Sequence, residues 1–123
     1  MRVLVLDDDR AFLNMLGWAL REAGHEVASA SDGASGLELV TRWPPDVILL
    51  DVHMPGMDGE TFARRYRGLP GASAPIVVLS AFGDSRRRVS GAAAYVRKPF
   101  ELDELIALLA RVAGASQVAA QPT

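Results

Sequence analysis

The sequence predicts an α/β protein of the doubly wound (βα)5 type, in which one parallel sheet is covered by helices on both faces. Short runs of branched apolar residues alternate with segments whose apolar residues recur every three or four positions, and the alternation occurs five times. Two of the runs, Val3–Leu6 and Ile48–Leu50, lead directly into aspartates. An aspartate at the end of an apolar run is expected where a strand that is buried on both faces ends and a loop begins. The same order predicts right-handed crossovers between the strands.

The first two strand-helix units occupy the amino-terminal part of the chain. A strand over residues 3–6 precedes a helix that ends near Gly24. The apolar face of that helix is set by Phe12, Leu13, Leu16 and Leu20. Glu26–Ala30 is predicted to be the second strand. Asp32 then supplies N-cap chemistry for a second helix, which Pro44 and Pro45 stop.

The remaining units follow the same order. The third strand ends at Asp51, the third helix is predicted over residues 59–67, and the fourth and fifth strands over residues 76–79 and 95–96. A final amphipathic helix is indicated by Leu102, Leu105, Ile106, Leu109 and Val112. Because Gly114–Thr123 lacks periodicity, we predict one domain over residues 1–113 and a flexible tail or the start of a linker over residues 114–123.

Composition places the chain among folded proteins that do not bind nucleic acid directly. Its 123 residues suit one domain, half of them are apolar, and the formal net charge is −2. The 13 basic residues against 15 acidic ones do not give the strongly basic surface of a DNA-binding domain. The chain has no cysteine for disulfides or thiolate metal sites. Since the first strand begins near residue 2 and no apolar run approaches the roughly 20 residues of a membrane span, we expect a cytoplasmic location without membrane contact.

Some polar and aromatic residues are predicted to have structural roles only. Asp9 and Asp58 are expected to cap helices, and Asp58 with the following glycine opens the third one. Trp18 and Trp43 fall at helical positions and are expected to pack against neighbouring elements.

The residues that carry chemistry follow the predicted strands. Asp7 and Asp8 follow the first strand, Asp51 ends the third, Ser80 follows the fourth and Lys98 follows the fifth. The carboxyl ends of parallel strands lie at one edge of the sheet, which is a ligand site in open α/β sheets. Carboxylates crowded there repel one another unless a cation neutralises them, and hard oxygen ligands favour Mg²⁺.

This constellation predicts phosphoryl transfer to Asp51. Mg²⁺ would be held by Asp8, Asp51 and the main-chain carbonyl of His53, with Asp7 acting through water. The metal would neutralise charge on a phosphoryl group during in-line transfer. Lys98 and the Ser80 hydroxyl would bind the phosphoryl oxygens that the metal leaves unpaired.

These residues together resemble the receiver (CheY-like) domain of two-component response regulators. The likeness covers residues 2–112 and rests on four motifs in this order. They are the acidic pair Asp7 and Asp8, the stretch Leu-Leu-Asp-x-x-Met-Pro-x-Met-Asp-Gly over residues 49–59, Leu79–Ala81, and Tyr95–Phe100. The resemblance implies the flavodoxin-like strand order 2-1-3-4-5, phosphorylation of Asp51 and a cis peptide bond before Pro99. It also implies a switch in which the phosphoryl group draws Ser80 inward and Tyr95 turns into the vacated space.

The resemblance also implies the partners. A sensor histidine kinase or a histidine phosphotransfer protein would supply the phosphoryl group, and a downstream target protein or a covalently linked output domain would read the altered surface. The domain would be a monomer or a phosphorylation-dependent dimer. It would be a phospho-acceptor that assists its own phosphorylation and hydrolysis, and not an enzyme.

The chain departs from this family between Ser80 and Lys98, where about one helical turn of sequence is missing. We therefore expect the fourth helix of the family to be shortened here, over residues 83–90. Partners would then be selected by another face or by the cluster Arg86–Arg88.

Two other functions remain open on the sequence alone. The domain could be a receiver-like scaffold that binds partners without phosphorylation, although Asp7, Asp51 and Lys98 are retained. A phosphatase of the haloacid dehalogenase type would also end its first strand with an Asp-x-Asp motif. In this chain, however, Ala11 stands where that motif requires Thr or Val, and 123 residues leave no room for substrate-capping elements.

Overall fold

The computed structural model describes residues 1–80 and 89–120, and the side chains within residues 1–80 and 89–115. The strands are β1 (Arg2–Leu6), β2 (Glu26–Ala30), β3 (Val47–Asp51), β4 (Ile76–Ser80) and β5 (Ala94–Arg97). The helices are α1 (Arg10–Glu22), α2 (Gly33–Arg42), α3 (Gly59–Arg67) and α4 (Leu102–Ala120). In these parts of the chain, none of the helices combines the length and hydropathy needed to cross a bilayer.

The five strands form one parallel sheet in the order β2-β1-β3-β4-β5, which confirms the predicted class and strand order. The register aligns Leu6 with Leu50, Asp51 with Leu79, and Ser80 with Arg97. The carboxyl ends of β1, β3, β4 and β5 therefore lie at the same edge of the sheet. The residues that end or follow these strands are brought together there.

Helices cover both faces of the sheet because alternate strand residues point to opposite sides. On one face Leu6 and Leu50 pack with Phe62 of α3. On the other face Val5 and Leu49 pack with core residues of α1 and α4, namely Leu16, Leu20, Leu105 and Leu109. β3 and β4 are buried along their whole length, as their unbroken apolar sequence predicts.

Aspartates cap three helices as the sequence predicts. Asp9 accepts hydrogen bonds from the N–H groups of Ala11 and Phe12, which begins α1. Asp32 begins α2 and Asp58 begins α3 in the same way. The cap at Asp9 matters for the site, because it fixes the turn that carries the first-strand carboxylates into α1.

The predicted packing of the two tryptophans is half right. Trp18 is 66% exposed, so the prediction that it packs is wrong. It lies two positions from Leu16 and from Leu20, and residues two apart on a helix face opposite sides. Trp43 is half-buried against the core, as predicted.

The last helix also extends beyond the predicted start of the tail at Gly114, and it ends at Ala120. A segment without apolar periodicity still forms helix when it consists of helix-favouring residues such as Ala and Gln, and the first strong helix breaker after Gly114 is Pro122. The division into a domain and a linker stays a prediction.

The shortened fourth helix is predicted over residues 83–90, and residues 83–88 of that segment lie outside the described residues, as do Ala81 and the cluster Arg86–Arg88. The described residues that follow include a turn at Ser90 and Gly91, which leads into β5.

Candidate functional site

The site lies at the carboxyl edge of the sheet, where the strand ends bring four of the predicted residues together. Asp7 follows β1, Asp51 is the last residue of β3, Ser80 is the last residue of β4, and Lys98 follows β5. Asp7, Asp51 and Ser80 are all buried, with 1%, 3% and 2% of their surfaces exposed. Among the described residues, these three are the polar ones that are buried, so the buried polar groups of the protein are concentrated at this edge of the sheet.

Three carboxylates converge at this edge. Asp7, Asp8 and Asp51 each place a carboxylate oxygen within 4.8 Å of the others. Asp8 is exposed whereas Asp7 and Asp51 are buried, so the group opens to solvent on the side of Asp8. The predicted convergence of the acids that follow β1 and end β3 is confirmed. The distances are short enough for the three residues to share one cation.

Main-chain N–H groups orient the two buried carboxylates. The Asp9 N–H donates to Asp7 Oδ1 over 2.9 Å, and the His53 N–H donates to Asp51 Oδ1 over 2.9 Å. The other oxygen of Asp7, Oδ2, is buried without a hydrogen-bond partner. A buried carboxylate oxygen in that state is costly unless something positive binds it. A cluster of three carboxylates, one of them with a buried oxygen that accepts no hydrogen bond, fits a hard divalent cation such as Mg²⁺.

Burial raises the pKa of Asp7 to about 6, and repulsion from Asp51 adds to the rise. The Asp9 N–H and the Lys98 ammonium act in the opposite direction. The charged form of Asp7 is thus held in a place that disfavours it. A cation that bound the cluster would favour the charged form and lower the pKa.

Lys98 supplies the positive charge nearest to the acids among the described residues. Its Nζ lies 3.6 Å from Asp51 Oδ2 and 3.9 Å from Asp7 Oδ2, and its side chain is 35% exposed. The peptide bond between Lys98 and Pro99 is cis, as the family resemblance implies. The main-chain N–H of Lys98 donates to the carbonyl of Ser80 over 2.9 Å. This bond fastens the start of the Lys98 turn to the end of β4.

Replacing Lys98 with methionine is expected to lower the free energy of unfolding of the metal-free protein at neutral pH, because its ion pairs with Asp7 and Asp51 are lost. The loss should be only about 0.5–1 kcal/mol, because the Lys98 side chain is partly exposed to solvent. Chemical denaturation with urea measures the change. Arg42→Met, at an exposed position at the end of α2, serves as the control for loss of one positive charge away from the acids. An equal effect of both substitutions would contradict a specific role of Lys98 beside the acids.

The other predicted residues lie around this cluster. His53 is exposed, and its main-chain N–H, as noted above, orients Asp51. Tyr95 lies outside the cluster with 48% of its surface exposed. Its hydroxyl donates to the carbonyl of Val89 over 2.9 Å and accepts from the N–H of the same residue over 3.1 Å. The chemical roles of His53, Ser80 and Tyr95 stay predictions.

Phe12 is a residue of the site that sequence reasoning placed only on the apolar face of a helix. The Lys98 Nζ lies 5.4 Å from the centroid of its ring. Phe100 meets the same ring edge-to-face, with centroids 6.0 Å apart and planes at 81°. A signal for Phe12 exists in the sequence, because it lies four residues after Asp8, about one helical turn from the carboxylate edge.

Comparison with known proteins gives a consistent result. The family model of the response regulator receiver domain matches residues 3–110. The response regulator MprA of Mycobacterium leprae (strain TN) is 43% identical over 111 residues, which is 87% of this chain and 48% of that protein. MprA of Mycobacterium tuberculosis (strain ATCC 25618 / H37Rv) is 41% identical over the same length and coverage. The chain spans about half the length of the curated relatives it matches.

Solved structures agree with these sequence matches. The Francisella response regulator 1452 receiver domain superimposes with a TM-score of 0.82 at 30% identity, covering 94% of this chain and 98% of that chain. NtrX from Brucella abortus superimposes with a TM-score of 0.85 at 28% identity, covering 96% of this chain but 28% of that chain. The fold therefore occurs both as nearly the whole of a solved chain and as a part of a longer protein.

Proposed function

The chain belongs to the response regulator receiver domain family of two-component systems, and from this premise we propose that it accepts a phosphoryl group on Asp51. The observation that carries the proposal is the convergence of Asp7, Asp8 and Asp51 within 4.8 Å, with Lys98 beside the two buried members. Parallel-sheet geometry assembles these side chains from three strand ends, and a core alone has no need of them. The phosphoryl donor would be a sensor histidine kinase or a histidine phosphotransfer protein.

In the proposed step, a carboxylate oxygen of Asp51 attacks phosphorus in line with the leaving group. The new bond is O–P, and the bond that breaks is the P–N bond of a phosphohistidine or the P–O bond of an acyl phosphate. The electron pair of the broken bond stays with the leaving imidazole or acetate. Asp51 needs no proton transfer in this step, so the site needs no general base for it.

The residues that would hold Mg²⁺ are the carboxylates of Asp7, Asp8 and Asp51 and the main-chain carbonyl of His53. When bound, the metal supplies charge neutralisation for the phosphoryl oxygens during transfer. The buried Oδ2 of Asp7, which accepts no hydrogen bond, supports a cation at this place.

Lys98 and Ser80 would bind phosphoryl oxygens from the other side. The Lys98 ammonium already lies 3.6 Å from Asp51 Oδ2, which brings it within reach of a group attached to that carboxylate. Ser80 is buried at the end of β4, next to the third-strand terminus that carries Asp51. Hydrogen bonds from both residues would strengthen as charge builds on the transferring group.

The proposed output is a change of surface in the cytoplasm, with Ser80 and Tyr95 as the switch residues. The reader of that surface would be a downstream target protein or a covalently linked output domain, through a monomer or a phosphorylation-dependent dimer. The partial coverage of the MprA relatives and of NtrX supports a linked output domain as one form of this arrangement. The domain would assist its own phosphorylation and hydrolysis without turning over a separate substrate.

The test is to incubate the purified chain with acetyl phosphate and Mg²⁺ and to follow its intact mass. We expect one phosphoryl group per chain, mapped to Asp51 after borohydride trapping and peptide mass spectrometry, and no label when Mg²⁺ is removed with EDTA. Absence of label under all conditions would overturn the proposal and favour a phosphorylation-independent interaction scaffold. Label on another residue would overturn the assignment of Asp51.

A further inference from the structure

The Lys98 ammonium is bounded on two sides by groups of different chemistry. On one side are the carboxylates of Asp7 and Asp51, at 3.9 Å and 3.6 Å. On the other side is the ring of Phe12, whose centroid lies 5.4 Å from Nζ. Both ion-pair distances are longer than the 2.7–2.9 Å typical of a charge-assisted hydrogen bond, so neither carboxylate holds the ammonium by a short bond. The ring lies within the roughly 6 Å over which a cation is attracted to an aromatic face.

Phe12 is itself held firmly by its neighbours. It lies in the first turn of α1, where its N–H donates to the capping carboxylate of Asp9 over 3.2 Å. Its ring meets Phe100 edge-to-face and packs against the core between the sheet, α1 and α4. The ring is therefore a fixed surface, whereas Lys98 has a flexible four-carbon stem and is 35% exposed.

From this arrangement we propose that Phe12 is a positioning residue for phosphoryl transfer, and that its ring face holds the Lys98 ammonium beside Asp51 by a cation–π interaction. The proposal rests on the phosphorylation of Asp51 proposed above. A fixed ring reduces the number of Lys98 conformers, so the charge is in place when the phosphoryl group arrives. Without the ring, Lys98 would have to be ordered during the reaction.

A purely structural role of Phe12 would depend on the size of the ring, whereas the proposed role depends on the negative charge of its face. The two roles can be separated by site-specific incorporation of phenylalanines with one, two or three ring fluorines. Fluorine reduces the negative charge on the ring face while the shape of the ring stays nearly constant. We expect the rate constant of phosphorylation by acetyl phosphate to fall stepwise with each fluorine. Phe12→Leu should slow the reaction about two- to fivefold, the effect expected for a cation–π contact at a partly exposed site.

Phe100 provides a matched control. Its ring touches the Phe12 ring, so fluorination of Phe100 changes the aromatic pair without replacing the ring that lies beside Lys98. We expect little change in rate from fluorinated Phe100 and unchanged urea midpoints in both series. Phe12→Trp, which offers a stronger face to a cation, should react at least as fast as the wild type.

A second readout does not depend on phosphorylation. The Phe12 ring should shift the NMR signals of the Lys98 ε-methylene protons, and this ring-current shift should disappear in Phe12→Leu. The signals of residues far from Phe12 should stay constant. Wild-type rates throughout the fluorinated Phe12 series would overturn the inference while leaving phosphorylation of Asp51 intact. Failure of the wild-type chain to accept phosphate would instead overturn the proposed function, and a ring-current shift lost in Phe12→Leu would still support the contact.

Discussion

Asp51→Asn is expected to abolish labelling of the chain by acetyl phosphate in the presence of Mg²⁺. An amide has neither the negative charge nor the nucleophilic oxygen that attacks phosphorus, so the covalent step is lost and not merely slowed. The fold should survive the change, because asparagine has the same shape and its amide oxygen can still accept the hydrogen bond from the His53 N–H. The loss is measured by intact mass spectrometry and by the absence of a mapped phosphopeptide.

Asp9→Asn is the matched control for this experiment. Asp9 is an exposed aspartate two residues from Asp7, and asparagine is an equally good helix cap at that position. The control variant should label like the wild type. Normal labelling of Asp51→Asn at any residue of the cluster would show that position 51 is not the acceptor.

Asp7→Asn is expected to raise the free energy of unfolding of the metal-free protein by about 1–3 kcal/mol near neutral pH. The folded protein raises the pKa of Asp7 from 3.8 to about 6, chiefly because the carboxyl group is buried. The folded state therefore binds the proton more tightly than the unfolded state, and stability is lost as the pH rises through this range. Replacing the carboxylate with a neutral amide removes that loss, and the amide can keep the hydrogen bond from the Asp9 N–H.

The pH dependence gives the sign of this effect. We expect the wild type and Asp7→Asn to have similar stabilities at about pH 4. The variant should become the more stable one as the pH rises from about 4 to about 6, and the difference should stay constant above that range. Urea denaturation in the presence of EDTA, repeated across this range, measures the difference. A variant that is less stable than the wild type near neutral pH would contradict the account of Asp7 as a disfavoured buried anion.

Addition of Mg²⁺ should stabilise the wild type more than Asp7→Asn, in contrast to their order in the metal-free state. A ligand that binds only the folded state stabilises it according to its concentration and affinity. The wild type should therefore gain stability from Mg²⁺, and Asp7→Asn should gain little. Asp8→Asn is the matched control, because Asp8 is exposed and its removal should weaken the response to Mg²⁺ without the large gain in metal-free stability.

The positions of the elements could be predicted from sequence because each is specified by a local pattern. Unbroken apolar runs marked β3 and β4, aspartates marked the helix starts, and Asp51 followed from its place at the end of a buried strand. Parallel strands align their carboxyl ends, so the meeting of Asp7, Asp51 and Lys98 required no knowledge of side-chain conformation.

What could not be predicted depends on contacts between distant residues or on the absence of a pattern. The cation–π contact of Phe12 requires the relative placement of α1 and the turn after β5, which apolar spacing does not give. The same limit applies to the buried Oδ2 of Asp7, which accepts no hydrogen bond, since burial of one atom is decided by all the elements around it. The end of α4 at Ala120 was missed because helix formation there does not require an apolar stripe.

The two hydrogen bonds between the Tyr95 hydroxyl and the main chain of Val89 join the phenol to the segment that precedes β5. The Val89 side chain is buried, and a methyl group added to Gly59 would lie 3.2 Å from it, so Val89 rests directly on the first turn of α3. The next N–H along the chain, that of Ser90, donates to Glu60 over 2.6 Å. A Tyr95 ring that rotated inward would therefore have to leave both Val89 partners. Because Val89 and Ser90 contact the first turn of α3, that departure would be felt at Gly59 and Glu60, in the helix that begins eight residues after Asp51.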